Sequence, residues 1–295
     1  MSAKFYSIVC LSLFLFPNAE LKSQSLDKQI NDIYPSVEKL YYHLHENPEL
    51  SFQEENTSKK LAEELKSIGF EVEENFGGFG ILGILKNGKG PTILVRADMD
   101  ALPVKELTGL PYASTKKAVL NNNEVNVMHA CGHDVHMSVF IGTAKILTMN
   151  KSKWKGTLIF IGQPSEERAT GAREMIKNGL YQKYPVPDYA LALHTNASLA
   201  VGKVGLVEGH ALANVDMVDI TVYGNGGHGA YPHTTIDPVV LSARIIMALQ
   251  TIVSREISPL EPAVVTVGSI HGGNKGNVIP DEIKLELTLR SYSDS

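Results

Sequence analysis

Hydrophobic residues recur with a helical period near the start of the chain and in short runs further along. In segments 27–50 and 54–70 apolar residues stand three and four positions apart, which predicts two helices, the second ending at Gly69. Short apolar runs bounded by glycine or proline then alternate with helical stretches. The runs occupy 79–88, 91–98, 156–163 and 188–194, and the helical stretches occupy 133–150 and 170–180. This alternation predicts an α/β fold with a mostly parallel sheet.

The pattern changes at about residue 211. Three segments alternate apolar and polar positions, and a fourth has the pattern of an amphipathic helix: 215–224, 263–273, 282–292 and, for the helix, 235–256. Strands of this kind are typical of a sheet with one face in water. We therefore expect a first domain over residues 26–210 and a small α+β domain over residues 211–295.

The first 25 residues have the pattern of a secretory signal peptide. Lys4 precedes an apolar run over residues 5–16, and the small residues Ser23 and Ser25 suit a cleavage site. The run is too short to span a bilayer. This predicts residues 1–25 as a signal peptide and an exported protein, periplasmic or secreted, with no stable membrane span after cleavage. An uncleaved anchor or a misassigned start is the alternative.

Composition and charge exclude several classes of partner. Of the 295 residues, 43% are hydrophobic and 20% charged, which is typical of a globular protein with a sizeable core. The net charge is −5, and acidic and basic residues are interspersed. The sequence therefore has no basic stripe to bind nucleic acid and no polybasic patch to bind a membrane surface.

Cysteine usage indicates a thiol and not a disulfide. Signal cleavage would remove Cys10 and leave Cys131, and a single cysteine forms no intramolecular disulfide. Cys131 is then either a free buried thiol or a metal ligand. A dithiol redox protein is excluded because the sequence contains no C-x-x-C motif.

Ionisable side chains follow three of the predicted strands. Asp98 and Asp100 follow one run, Glu166 and Glu167 follow another, and His194 follows the last. In an open α/β sheet, ligands bind outside the carboxyl ends of the strands. We therefore expect these side chains to converge along one edge of the sheet.

The segment HACGHDVH, residues 129–136, adds thiol and imidazole groups to the same edge. It precedes a predicted helix, whose positive end can face that edge. Thiolate, imidazole and carboxylate are the ligands of zinc and similar divalent ions. These three ligand types are supplied by Cys131, His133, Glu167 and His194. A C-x-H pair by itself is equally consistent with a buried thiol beside a helix-capping histidine.

The paired acidic residues are compatible with catalysis. At the end of an apolar strand, one residue of the pair Glu166 and Glu167 can bind a metal while the other acts as general base on a water. A solvated loop tip is the ordinary alternative. Asp100 can orient a metal ligand through a hydrogen bond, although Asp98 and Asp100 also fit a simple turn that ends at Pro103.

The remaining histidines and glycines carry weaker signals. The glycine-rich segment 224–233, which contains His228, is more typical of turns than of a phosphate-binding loop. The sequence contains no G-x-x-x-x-G-K-[ST] motif, which disfavours nucleotide binding. His43 and His45 lie near a predicted helix C-terminus, where a protonated imidazole is favourable. His136, His210 and His271 are expected to be structural or to lie at the surface.

Several motifs together carry a resemblance to a known family. In order along the chain they are RADMDALP, HACGHDVHMS, QPSEE, GGHGAYPHTTIDPV, ALQTIVSRE and GGNKGNVIPD. They resemble the metal-dependent aminoacylase/carboxypeptidase amidohydrolases, which include hippurate hydrolases, N-acetyldiaminopimelate deacetylases and plant auxin-conjugate hydrolases. The match runs from about Tyr41 to Arg290. It implies a zinc-peptidase-like catalytic domain with a small lid domain, and hydrolysis of the amide bond of an N-acyl amino acid or short peptide.

The resemblance also implies a role for each matching residue. The ligands of a two-metal centre would be Cys131, His133, Glu167 and His194. Glu166 would be the general base, and Asp100 would be the supporting active-site aspartate. His228 would be the histidine that stabilises the oxyanion. The residues that hold the substrate carboxylate would be Asn277 and Arg290. Two divalent ions are implied, and mixed S, N and O ligands accept Zn, Mn, Ni or Co.

The chain departs from the family pattern at its end. Family members return from the lid to the catalytic domain and supply one more histidine ligand, whereas this sequence ends at RSYSDS. We therefore expect a C-terminal truncation that leaves both domains incomplete. The alternative to an active amidohydrolase is an inactive fragment that at most binds metal or dimerises. The expected partners are a small N-acyl amino acid or peptide and a second copy of the chain, bound through the lid.

Overall fold

The computed structural model describes the backbone of residues 17–292 and the side chains of residues 26–292. The predicted signal peptide therefore lies largely outside the described residues. The chain divides into two compact units, Met1–Ala197 and Ser198–Ser295. The predicted domain boundary after residue 210 falls a short way into the second unit.

The first unit alternates helices and strands, as the hydrophobic pattern predicts. Its elements are α1 (Pro17–Glu46), α2 (Glu55–Ser67), β1 (Glu71–Glu73), β2 (Ile81–Asn87), β3 (Thr92–Asp98), β4 (Lys117–Leu120), β5 (Asn123–Asn126), α3 (His133–Met149), β6 (Gly156–Gln163), α4 (Gly171–Lys177), α5 (Leu180–Lys183) and β7 (Tyr189–Ala192). The main sheet has the order β1-β2-β6-β3-β7. Strand β3 pairs in parallel with β6 and β7, whereas β2 pairs antiparallel with β1 and β6. The predicted α/β fold is confirmed, with β2 as the reversed strand.

Apolar side chains cover both faces of this sheet because neighbouring residues of a strand point to opposite sides. Phe160 of β6 packs against the helical layer that contains Leu65 of α2 and Met137 of α3. Its neighbour Ile159 packs on the other face with Met175 of α4. Burying each such side chain contributes about 2 kcal/mol relative to leaving it exposed. These two layers fix the ends of β3, β6 and α3, where the predicted site residues lie.

The second unit is a small α+β domain. Its elements are β8 (Asn214–Tyr223), β9 (Gly227–His228), α6 (Pro238–Thr251), β10 (Val264–His271), β11 (Val278–Ile279) and β12 (Glu282–Ser291). The antiparallel sheet β10-β12-β8 buries alternate residues of β12, among them Leu285 and Leu287. Asp237 caps the N-terminus of helix α6, and its Oδ1 accepts hydrogen bonds from the amides of Val239 and Val240 at 2.8 and 3.2 Å.

Within the described residues, one helical segment, Pro238–Glu256, is long and apolar enough to cross a membrane by length and composition. Its residues Ile245, Ile246 and Leu249 pack against the sheet of the second unit. These contacts place the segment within the α+β domain.

Candidate metal centre

The predicted site residues of the first unit converge at one end of the main sheet. Strands β3 and β6 end at Asp98 and Gln163, and β7 ends at Ala192. The loops that follow these strands carry the predicted acids and His194, and α3 begins beside them. Because parallel strands end at the same edge, residues almost 100 positions apart in sequence become neighbours.

His133, the first residue of α3, is completely buried. Its Nδ1 lies 2.8 Å from the backbone oxygen of Asp100, to which it donates. Its Nε2 has no hydrogen-bond partner among the described residues. That atom lies 3.8 Å from Glu166 Oε2 and 3.9 Å from Glu167 Oε1. A buried, unpartnered imidazole nitrogen that faces two carboxylates is arranged as a metal ligand.

Cys131 and His194 form a second pair of donors beside His133. Cys131 Sγ lies 3.5 Å from His194 Nε2. His194 Nδ1 donates to the backbone oxygen of Thr195 at 2.7 Å, which again leaves Nε2 directed at the site. The Thr195 hydroxyl donates to the backbone oxygen of Cys131 at 3.0 Å. The loop after β7 and the loop before α3 are thus joined directly.

Asp100 organises the acidic loop. Its Oδ1 accepts a hydrogen bond from the amide of Glu166, and its Oδ2 accepts one from the amide of Glu167, both at 3.0 Å. The Ser51 hydroxyl donates to Oδ2 at 2.6 Å. Burial raises the pKa of Asp100, but hydrogen bonds from His133, Ser51 and the two amides outweigh burial and hold that pKa below its usual value. Asp100 therefore stays ionised and positions both glutamates.

The structure adds His136 to this site, which the sequence indicated as structural or at the surface, and it places Asp98 in the same site, as the strand-end pattern predicted. His136 is buried one turn after His133, and its Nδ1 lies 3.9 Å from Asp98 Oδ2. Its Nε2 accepts a hydrogen bond from the amide of Thr195 at 2.9 Å. The three-residue spacing between the two histidines, which places both on one face of a helix, was the available sequence signal.

Three groups of potential ligands therefore share His133. Within each group the donor atoms all lie within 4.8 Å of one another. The groups are Cys131, His133 and His194; His133, Glu166 and Glu167; and Asp98, His133 and His136. The four predicted ligands belong to the first two groups, so the structure brings all of them together.

Electrostatics at this site favour a bound cation. Burial raises the pKa of the Cys131 thiol, and the charges of Glu167 and Glu166 raise it further, to about 11. Burial also raises the pKa of Asp98 to about 6, against the opposing effect of Arg96. Acidic groups are penalised here because negative charges crowd into a poorly solvated space. A divalent cation would offset this repulsion, and thiol, imidazole and carboxylate donors are suitable ligands for it.

Beneath the first turn of α3 lies a buried cluster that the sequence did not reveal. His45 Nδ1 lies 2.6 Å from Asp134 Oδ2, and His45 Nε2 lies 3.1 Å from Glu106 Oε1. All three residues are buried. His45 was predicted to interact with the end of its own helix, but the structure shows that it contacts carboxylates from two other segments.

The three site residues predicted in the second unit lie in two places. His228 in β9 pairs with Val278 in β11, and the backbone oxygen of Asn277 accepts a hydrogen bond from Gly229 at 2.9 Å. The structure therefore brings His228 and Asn277 together. Arg290 lies near the other end of β12, opposite Val215, so it is not beside them.

Comparison with known proteins agrees with this geometry. A model of the peptidase family M20/M25/M40 matches residues 94–285. The chain belongs to this family. The matched region contains eight of the nine residues to which the sequence resemblance gives a role, and Arg290 lies just beyond it. The resemblance stated from the motifs is thus confirmed.

Two enzymes and a solved structure are similar to most of this chain. The N-acetyl-L-cysteine deacetylase of Bacillus subtilis is 38% identical over 92% of this chain and 63% of the relative. The hippurate hydrolase of Campylobacter jejuni is 40% identical over 92% of this chain and 68% of the relative. A dinuclear metal-binding M20 peptidase from B. subtilis has a known crystal structure, which superposes on this chain with a TM-score of 0.72. The two sequences are 34% identical, and the match covers 90% of this chain and 66% of that chain. This chain thus spans about two thirds of the length of these family members.

Proposed function

We propose that the protein hydrolyses the amide bond of N-acyl amino acids or short peptides with the help of divalent metal ions. The observation that carries the proposal is the buried Nε2 of His133, which faces Glu166 and Glu167 and has no hydrogen-bond partner within the described part of the chain. The similarity to a deacetylase and a hippurate hydrolase supports the same reaction class.

The proposed ligands of two divalent ions are Cys131, His133, Glu167 and His194. Zn, Mn, Ni and Co all suit this donor set. A divalent ion at the site would supply a Lewis acid for the amide carbonyl and would lower the pKa of a water. The hydrogen bonds of the two proposed ligand histidines to backbone oxygens leave both Nε2 atoms available to bind metal.

Glu166 is the proposed general base. Its side chain is 36% exposed, whereas the side chain of Glu167 is 19% exposed. Glu166 can therefore take a proton from an attacking water and deliver it to the departing amide nitrogen. Asp100 positions the two glutamates by accepting hydrogen bonds from their backbone amides.

The remaining roles rest on the family resemblance. We assign stabilisation of the oxyanion to His228 and binding of the substrate carboxylate to Asn277 and Arg290. We further propose that the second unit mediates homodimerisation and that the protein is exported through residues 1–25.

The substitution Glu166→Gln tests the proposed reaction. It removes the base but keeps the side-chain shape, so turnover of hippurate and N-acetyl amino acids should fall about 100-fold or more. The metal content, measured by mass spectrometry of the purified chain, should stay at about two ions because the proposed ligands are intact. The matched control is Glu174→Gln, a partly exposed carboxylate in α4 paired with Lys177.

Two outcomes would contradict the proposal. Turnover of Glu166→Gln at the wild-type rate would remove Glu166 from the mechanism. A wild-type chain that binds metal but hydrolyses no member of the panel would instead support a binding protein without catalysis.

A further inference from the structure

A pocket adjoins the metal centre on the side of Glu167. It has a cavity volume of about 440 Å³ and is lined by residues of the first unit alone. Apolar side chains form most of its wall: Phe52, Leu102, Pro103, Val119 and Leu120. Pockets that bind small ligands have volumes of about 300–1,000 Å³ and combine apolar walls with a few polar groups.

Two of the wall residues expose large apolar surfaces. Phe52 is 53% exposed and Val119 is 63% exposed. Single exposed hydrophobic residues are common on protein surfaces. These two, however, come from separate segments and line one pocket beside an ionisable cluster, which is the arrangement expected when an apolar part of a ligand covers them.

Phe52 has an unusual backbone for a bulky residue. Its φ of +65° lies in the left-handed region, which non-glycine residues other than Asn and Asp seldom adopt. Its amide donates to Ser165 Oγ at 3.0 Å, and the neighbouring Ser51 donates to Asp100 at 2.6 Å. One of these contacts comes from the loop that carries the two glutamates, and the other comes from Asp100, which accepts hydrogen bonds from their amides. Strain maintained beside an active site indicates a functional constraint.

The part of the wall formed by Val119 and Leu120 belongs to the hairpin of β4 and β5. Gln53 Nε2 donates to the backbone oxygen of Val119 at 3.0 Å, which joins the Phe52 turn to the hairpin. Leu120 packs on a small buried cluster that contains Leu50, Ala101 and Val127. Both parts of the wall are thus fixed relative to Asp100 and Glu167, and the pocket is largely preformed.

We propose that this pocket binds an aromatic ring of the amide substrate, in contact with Phe52 and Val119. The inference rests on the proposed amide hydrolysis and names the substrate class that the site prefers. Arg168, the exposed cation that lines the same pocket, can stack on an aromatic face. The ring belongs either to the acyl group or to the amino-acid side chain.

Binding of three ligands tests the pocket without turnover. The full chain with Glu166→Gln is equilibrated with Zn²⁺ and titrated by calorimetry with N-benzoylglycine, N-acetylphenylalanine and N-acetylglycine. We expect at least one aromatic ligand to bind more tightly than N-acetylglycine. Preference for the benzoyl ligand places the ring on the acyl group, and preference for the phenylalanine ligand places it on the amino acid.

Phe52→Ala and Val119→Ala in this background should each lower the aromatic-to-acetylglycine affinity ratio by about tenfold, as expected for the loss of apolar groups from a hydrophobic pocket. Val186→Ala is the matched control, because Val186 is 69% exposed near the opposite ends of the strands, where Asp188 bonds to Thr92. If Phe52→Ala does not fold, Phe52→Asn provides the same comparison, since Asn tolerates a left-handed backbone.

The outcomes separate this inference from the proposed function. Unchanged ratios in both variants, or no preference for either aromatic ligand, would overturn the pocket assignment even if the wild-type chain hydrolyses all three compounds. Loss of the preference in both variants would support the pocket even if the wild-type chain proves inactive, in which case the proposed catalysis alone fails.

Discussion

Hydrogen bonds on one side of each ring orient the two ligand histidines at the metal centre. The Nδ1 atoms of His133 and His194 donate to backbone oxygens, so both Nε2 atoms face the site. Gly132, between Cys131 and His133, has a φ of +77° that turns the chain so that both side chains reach the site. A Cβ at Gly132 would lie 2.5 Å from Thr195 Oγ1.

Gly132→Ala should therefore weaken metal binding as well as folding. The Thr195 hydroxyl has little freedom to move aside because it donates to Cys131, so the clash adds to the left-handed strain of about 1–2 kcal/mol. The control is Gly109→Ala, which has a φ of +71° and open space at Cβ among the described residues. We expect Gly109→Ala to show the strain alone, by urea denaturation, with unchanged affinity for Zn²⁺. Equal effects of the two substitutions would show that the clash is unimportant.

Among the elements, α3 contributes most to the site. Its first turn directs His133 and His136 to the metal centre and Asp134 to the buried cluster with His45 and Glu106. Burial alone would lower the pKa of His45, but its hydrogen bonds to Asp134 and Glu106 outweigh burial and raise that pKa. The charged imidazole thus joins α1 and the loop before β4 to the start of α3.

His45→Ala should destabilise the protein in a pH-dependent way. Because the pKa of His45 is raised in the folded state, its contribution is present below about pH 6.5 and is lost as the pH rises through the raised value. We expect a loss of about 3 kcal/mol in the free energy of unfolding at pH 6, since two buried carboxylates lose their partner, and a smaller loss at pH 9. Urea denaturation at both pH values measures it. His43→Ala, an exposed histidine in the same helical turn, should have little effect, and an equal loss in both variants would contradict the cluster's role.

Across the whole molecule, the two units have separate hydrophobic cores. Residues such as Leu65 and Phe160 form the core of the first unit, and Leu285 and Ile283 form that of the second. The proposed metal ligands all belong to the first unit. Bound metal should therefore stabilise one unit and not the other, because a ligand stabilises the state that binds it.

Differential scanning calorimetry with and without EDTA tests this division. We expect EDTA to lower the unfolding temperature of one transition and to leave a second transition in place. The difference should grow as the pH rises from 6 to 8, because metal must displace the proton of the Cys131 thiol, whose pKa is about 11 without metal. Two transitions that shift equally, or a pH-independent shift, would contradict this assignment of the ligands.

The hairpin of β4 and β5 shows where sequence reasoning reached its limit. Its strands have four residues each, and their apolar and polar positions alternate only weakly. The sequence therefore contained no long hydrophobic run that predicted them. The pocket wall at Val119 was therefore invisible in the pattern. In contrast, the strands that precede the acidic residues are longer apolar runs bounded by glycine or proline, and the sequence predicted these strands.

The sequence by itself determined the α/β class, the helix that begins at His133, and the kinds of ligand at the strand ends, because hydrophobic period and residue chemistry are local properties. Only the tertiary structure decided the rest. It placed His136 beside the ligands, buried His45 between two carboxylates, separated Arg290 from Asn277, and brought Phe52 and Val119 to one pocket. Such neighbours come from segments far apart in the chain, and their contacts depend on strand order and packing, which no local pattern encodes.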